Sequence, residues 1–123
     1  MKSILLVEDD DQFRTMLKEV LTRANYQVQE ASDGKEGIKL FESHTPDLVL
    51  TDLVMPDQEG LGMILELKKL CSEAKIIAMS GGSIGGSANT LKMAKLFGAT
   101  RVLRKPFSHQ EILEAVSQVL QGH

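Results

Sequence analysis

Asp47-Leu48-Val49-Leu50-Thr51-Asp52-Leu53-Val54-Met55-Pro56 is the stretch on which the fold turns. Leu48 to Leu50 form a continuous apolar run of strand length. Such a run suits a strand covered on both faces, as in a parallel sheet. It ends at Asp52, where a carboxylate takes over from apolar side chains. Pro56 blocks further pairing and biases Met55 toward extended backbone. A buried strand therefore delivers one acid to its own carboxyl end. In open α/β sheets, ligands bind in the crevice outside those ends.

Toward the N-terminus, residues 4–7 form another apolar run, and it ends in Glu8-Asp9-Asp10-Asp11. Phe13, Met16, Leu17, Val20 and Leu21 follow at helical spacing. Asp10 or Asp11 sits where an N-cap belongs, and acids suit the positive end of the helix dipole. Residues 26–31 alternate weakly and predict a strand nearer an edge. Asp33-Gly34 marks a turn, and a helix is expected from there to about Ser43, with Ile38 and Phe41 on its core face. Asp33 and Glu36 stand at capping-box spacing.

Toward the C-terminus, a helix is expected over about residues 58–71. Leu61, Ile64 and Leu65 would face inward, with Leu67 and Leu70 broadening the stripe. Residues 75–79 predict a strand ending at Ser80, followed by a flexible glycine-rich loop, Gly81 to Ser87. A helix over about residues 88–97 is stopped by Gly98. Residues 101–103 predict a short strand ending at Arg104-Lys105-Pro106-Phe107. Ser108 and Glu111 form a capping box for a last helix carrying Ile112, Leu113, Val116, Val119 and Leu120.

Five strands alternating with five helices imply an α/β fold with right-handed crossovers. The expected architecture is a flavodoxin-like (βα)5 doubly wound parallel sheet in strand order 2-1-3-4-5, with the weak second strand at an edge. The 123 residues suit a single domain, 1–123, with one core. With 42% hydrophobic and 25% charged residues, the composition is that of a soluble globular chain. No apolar run is long enough to span a bilayer, and no signal-peptide pattern is present, so a cytoplasmic location is expected. Cys71 is the only cysteine, which excludes an internal disulfide. Net charge is −3 without a basic stripe, and aromatics make up only 4%. Both argue against direct nucleic-acid binding.

The chemistry lies just after each strand. The first supplies Glu8 and Asp9, the third Asp52, the fourth Ser80 and the fifth Lys105. In the order 2-1-3-4-5 these four strands are neighbours, so the groups share one crevice. Three carboxylates repel one another unless a hard divalent cation relieves them, and Mg2+ takes carboxylates, waters and phosphate oxygens. A lysine and a hydroxyl opposite complete a site for phosphoryl transfer to a carboxylate. Singly, each residue has a structural explanation: a helix cap, a turn aspartate, a loop serine, a surface lysine. Those explanations do not account for four strands ending in complementary groups.

Leu6-Val7-Glu8-Asp9-Asp10, Leu50-Thr51-Asp52-Leu53-Val54-Met55-Pro56, Met79-Ser80-Gly81 and Lys105-Pro106-Phe107 together resemble the receiver domain of two-component response regulators. The resemblance covers nearly the whole chain. It implies that Asp52 accepts a phosphoryl group from a phosphohistidine on a sensor histidine kinase or phosphotransfer protein. It implies that Glu8, Asp9, Asp52 and the backbone carbonyl of Val54 organise Mg2+. Ser80 is then the switch hydroxyl and Lys105 the phosphate contact. Activity would be limited to self-phosphorylation and autodephosphorylation, so the chain is not expected to be an enzyme otherwise.

Three departures stand out, one being the unusually glycine-rich loop after Ser80. The family usually has Tyr or Phe three residues before the lysine; here the residue is Val102. Most family members continue into an output domain, for which this chain has no room, so it resembles the stand-alone, chemotaxis-type receivers. Its expected output is an unidentified protein target, met on the face of the fourth helix, fifth strand and fifth helix. With Val102 too short to act as a rotating ring, the loop Gly81 to Ser87 is the expected moving part.

Other classes fit less well. A flavin-binding flavodoxin would need phosphate-binding donors where Glu8 to Asp11 stand. The Gly81 to Gly86 loop lacks the lysine of a P-loop. An aspartyl-phosphate phosphatase wants a second acid two residues after its nucleophile, where Val54 stands. A receiver-like interaction module that is never phosphorylated is the remaining alternative, and the complete set of site residues argues against it.

Overall fold

The computed structural model describes residues 1–53, 60–80, 92, 94, 95 and 97–122. Five strands alternate with helices along the chain, in the order β1 (Ser3–Val7), α1 (Asp11–Arg23), β2 (Gln27–Ala31), α2 (Gly34–Ser43), β3 (Leu48–Asp52), α3 (Gly60–Leu70), β4 (Ile76–Ser80), β5 (Arg101–Arg104) and α4 (His109–Leu120). All strand pairs are parallel, and the sheet order is β2-β1-β3-β4-β5. Most of the helix expected over 88–97 lies outside the described residues, although 92, 94, 95 and 97 are helical. Gly98 follows with φ +123, the left-handed geometry that glycine adopts freely.

Burial follows strand position. The central β3 and β4 are buried along their whole length, whereas β2 alternates, as an edge strand should. Successive strand residues point to opposite faces. Leu5, Val7 and Val49 pack with Ile38 and Phe41 of α2 and Met63, Ile64 and Leu67 of α3. Ile4, Leu6, Leu48 and Leu50 pack on the other face with Leu17 and Leu21 of α1 and Ile112 and Val116 of α4. Each fully buried Leu or Ile contributes roughly 1.5–3 kcal/mol. Two layers of such residues hold the sheet still and fix where its strands end.

The caps set the helix starts. Asp10 caps α1, accepting the amide N–H groups of Gln12 and Phe13. Asp33 accepts the Glu36 amide, and Ser108 with Glu111 closes a reciprocal capping box. One expectation for α3 is corrected. Leu65 and Leu70 are 41% and 46% exposed, not core-facing; Met63, Ile64 and Leu67 form the buried stripe. Leu65 lies about 100° round the helix from Ile64, and Leu70 is the last residue of the helix. The Leu61 side chain lies outside the described set.

Candidate functional site

Strand register decides which groups meet. Val7 pairs with Thr51, so Glu8 comes level with Asp52 just beyond the apolar part of the sheet. Asp52 pairs with Met79, and Ser80 with Arg104. The Lys105 amide then donates to the Ser80 carbonyl at 2.7 Å. Asp52 is in phase with Leu48 and Leu50, which face α1 and α4. The first turn of α1 therefore closes one side of the crevice.

Glu8, Asp9 and Asp52 bring carboxylate oxygens within 4.8 Å of one another. Glu8 is 1% exposed and Asp52 6%, while Asp9 is open to solvent. Lys105 Nζ lies 2.9 Å from Glu8 Oε1 and 3.5 Å from Asp52 Oδ2. Ser80 is the last residue of β4, the strand next to β3, and is buried. Val54 lies outside the described residues, as does the loop Gly81 to Ser87. Of the residues singled out from sequence, Glu8, Asp9, Asp52 and Lys105 are thus gathered at the carboxyl end of the sheet, and Ser80 ends the neighbouring strand β4.

The electrostatics follow from burial. Burial pushes Glu8 up to about 7; hydrogen bonds from Lys105 and the Asp10 amide oppose this, and the Asp52 charge adds to it. For Lys105, burial works against the ammonium. The Glu8 hydrogen bond and the charges of Asp52 and Glu8 outweigh it and hold the lysine above its ordinary value. The two partners differ because Glu8 is almost wholly enclosed, whereas the Lys105 side chain keeps 21% exposure and part of its hydration.

Two contacts around the acids were not singled out in the sequence. Arg14 Nη1 donates to the Glu8 carbonyl at 2.7 Å, while its other nitrogens pair with Asp11 at 2.6 Å and Glu30 at 3.3 Å. It ties the loop after β1 to α1 and to the sheet edge. Lys105 Nζ also lies 4.3 Å from the centroid of the Phe13 ring. Phe13 falls in the α1 apolar stripe, which gives no sign of a partner so distant in the chain.

Oxygen donors, one clamped cation and a hydroxyl at the carboxyl ends of parallel strands suit a divalent cation and a phosphoryl group. Known proteins resemble this chain over nearly its whole length. The family model described as the response regulator receiver domain matches residues 4–117. The chain belongs to that family, the receivers of two-component phosphorelay signalling. A chemotaxis protein CheY of Thermotoga maritima is 35% identical, aligned over 96% of this chain and 97% of its own length. Sporulation initiation phosphotransferase F of Bacillus subtilis is 29% identical, over 97% of this chain and 94% of its own. A CheY-like receiver domain protein from Methanospirillum hungatei, solved by crystallography, superposes with a TM-score of 0.92 at 28% identity, covering 99% of this chain and 95% of that one.

Proposed function

We propose that Asp52 is the phosphoacceptor of this receiver, and that the chain works as one receiver domain over residues 1–123. One observation carries the reading: carboxylate oxygens of Glu8, Asp9 and Asp52 gather within 4.8 Å, with the Lys105 ammonium 3.5 Å from Asp52. The donor is a phosphohistidine on a sensor histidine kinase or a phosphotransfer protein. An Asp52 carboxylate oxygen attacks phosphorus. The P–N bond breaks with its electron pair leaving on the imidazole, and a P–O bond forms on Asp52. Asp52 ends a buried strand, so little orientational freedom is left to lose when the donor docks.

Lys105 supplies fixed positive charge where phosphoryl oxygens gather. Ser80 offers the hydroxyl that engages the modified aspartate and passes its state on. The all-oxygen donor set fits Mg2+: Glu8, Asp9 and Asp52, with the backbone carbonyl of Val54, would hold it. When bound, the ion neutralises charge among the acids and the phosphoryl oxygens. The chemistry modifies the chain itself, through self-phosphorylation and autodephosphorylation.

The signal leaves through a protein partner in the cytoplasm, without direct contact to nucleic acid or membrane. Among the described residues no helix is long and apolar enough to cross a membrane. The test is incubation with Mg2+ and acetyl phosphate followed by intact mass. A gain of one phosphoryl group that depends on the metal is expected. An unchanged mass at saturating donor and Mg2+ overturns the reading.

A further inference from the structure

Lys105 faces a choice of partners. Its ammonium is closer to Glu8, at 2.9 Å, than to Asp52, at 3.5 Å. The proposed chemistry needs it beside Asp52. A lysine stem is long and flexible and loses much rotamer freedom when fixed. Something other than the acids has to restrict where the ammonium travels. The Phe13 ring stands in that place, with Nζ 4.3 Å from its centroid. A ring face carries negative quadrupole charge and attracts an ammonium within about 6 Å.

The ring is itself held. Its centroid lies 5.8 Å from that of Phe107, in an edge-to-face contact at 65°. Phe107 is two residues beyond Lys105, so one short segment touches Phe13 twice. From below, Phe13 is fixed by its amide, which donates to the Asp10 cap at 3.1 Å. The Asp10 amide in turn donates to Glu8 Oε2, also at 3.1 Å. Glu8, Asp10, Phe13 and Lys105 thus close a ring of contacts beside Asp52.

We propose that Phe13 is a positioning residue for phosphoryl transfer: its ring face keeps the Lys105 ammonium on a short arc between Glu8 and Asp52. The inference rests on the reading of Asp52 as phosphoacceptor. An aliphatic side chain would fill the same space without attracting the ammonium. Lys105 would then spend more time on Glu8 or in solvent, and transfer to Asp52 would slow.

The test compares Phe13→Leu, Phe13→Met and Phe13→Tyr with the parent protein. Labelling rates are taken with acetyl phosphate and Mg2+, and thermal midpoints are recorded alongside. Phe13→Leu and Phe13→Met should label about three- to tenfold more slowly, the span of a partly desolvated cation–π contact. Phe13→Tyr, which keeps the ring face, should return to within about twofold of the parent. A purely structural role would instead make rate follow thermal midpoint, whatever the side chain. Parental rates in the Leu and Met variants overturn the inference, and so does a Tyr variant as slow as Leu. A parent that takes no label removes the Asp52 reading as well, which separates the two failures.

Discussion

Two aspartates bracket the same strand. Asp47 stands just before β3 and Asp52 is its last residue. Asp47 is exposed and satisfied by one neighbour: its Oδ2 accepts the Ser3 amide at 2.8 Å and the Ser3 hydroxyl at 3.3 Å. The hydrogen bond donated by the Ser3 amide holds its carboxyl below the usual value; burial opposes this, and the hydroxyl and nearby positive charges reinforce it. Asp52 is buried among like charges, with an ammonium 3.5 Å away. The residue type is identical and the strand is shared. Position relative to the sheet decides that one aspartate anchors β1 to β3 and the other lies among acids beside Lys105. Four predictions test this contrast, from the largest effect to the smallest.

Asp52→Asn should abolish phosphoryl labelling while Asp47→Asn keeps the parental rate. Removing the Asp52 charge, which pushes the Glu8 carboxyl up, should also raise metal-free stability. A lowered thermal midpoint in chelator would contradict that part.

Asp9→Asn removes an exposed member of the acid cluster without disturbing the core. It should weaken Mg2+ binding roughly tenfold to hundredfold and slow labelling in step. Calorimetric titration against the parent checks the first effect. Equal labelling rates in excess chelator would refute any need for the metal.

The third concerns pH. Folded Glu8 titrates at about 7, above its ordinary value of 4.5. The folded state therefore prefers the protonated group. Its stabilising contribution is complete below 4.5 and is lost as pH rises through about 7. A cation must displace that proton, so Mg2+ affinity should rise about tenfold from pH 6 to pH 8. A flat profile would show Glu8 already ionised at pH 6.

The smallest effect belongs to the other end of the strand. Asp47→Ala should cost about 0.5–1.5 kcal/mol by denaturant unfolding, the range for one or two exposed hydrogen bonds. Asp47 titrates below its ordinary value of 3.8, so its contribution is present above that pH and fades as pH falls further. Above pH 5 the loss should be constant, and labelling should not change.

Most of the fold was legible because apolar runs and caps are local signals. The run from Leu48 to Leu50 identified a doubly covered strand, and the alternation of β2 marked an edge. The acids were legible because each stands at the end of a strand or within two residues of it. Contacts set only by three-dimensional packing were not. Phe13 reads as one more apolar residue of α1, since its partner Lys105 comes from the far end of the sheet. Arg14 reads as a surface charge, because its bond to the Glu8 carbonyl depends on the angle of α1. Gly37 reads as an ordinary helix residue, yet a Cβ there would lie 2.8 Å from Met63 Cε and 3.0 Å from Val7 Cγ2. Leu65 and Leu70 misled for the reverse reason: hydrophobicity marks a candidate for burial, and helix phase and helix ends decide it.

On the proposed reading, the carboxyl end of β3 receives the phosphoryl group. Borohydride reduces an acyl phosphate to the alcohol and so converts a phosphorylated aspartate to homoserine. The direct measurement is peptide mass mapping after labelling with Mg2+ and acetyl phosphate and reduction with borohydride. Homoserine at position 52 alone, with Asp9 and Asp47 intact, is the predicted result. Homoserine at any other aspartate position, with Asp52 unmodified, would contradict it.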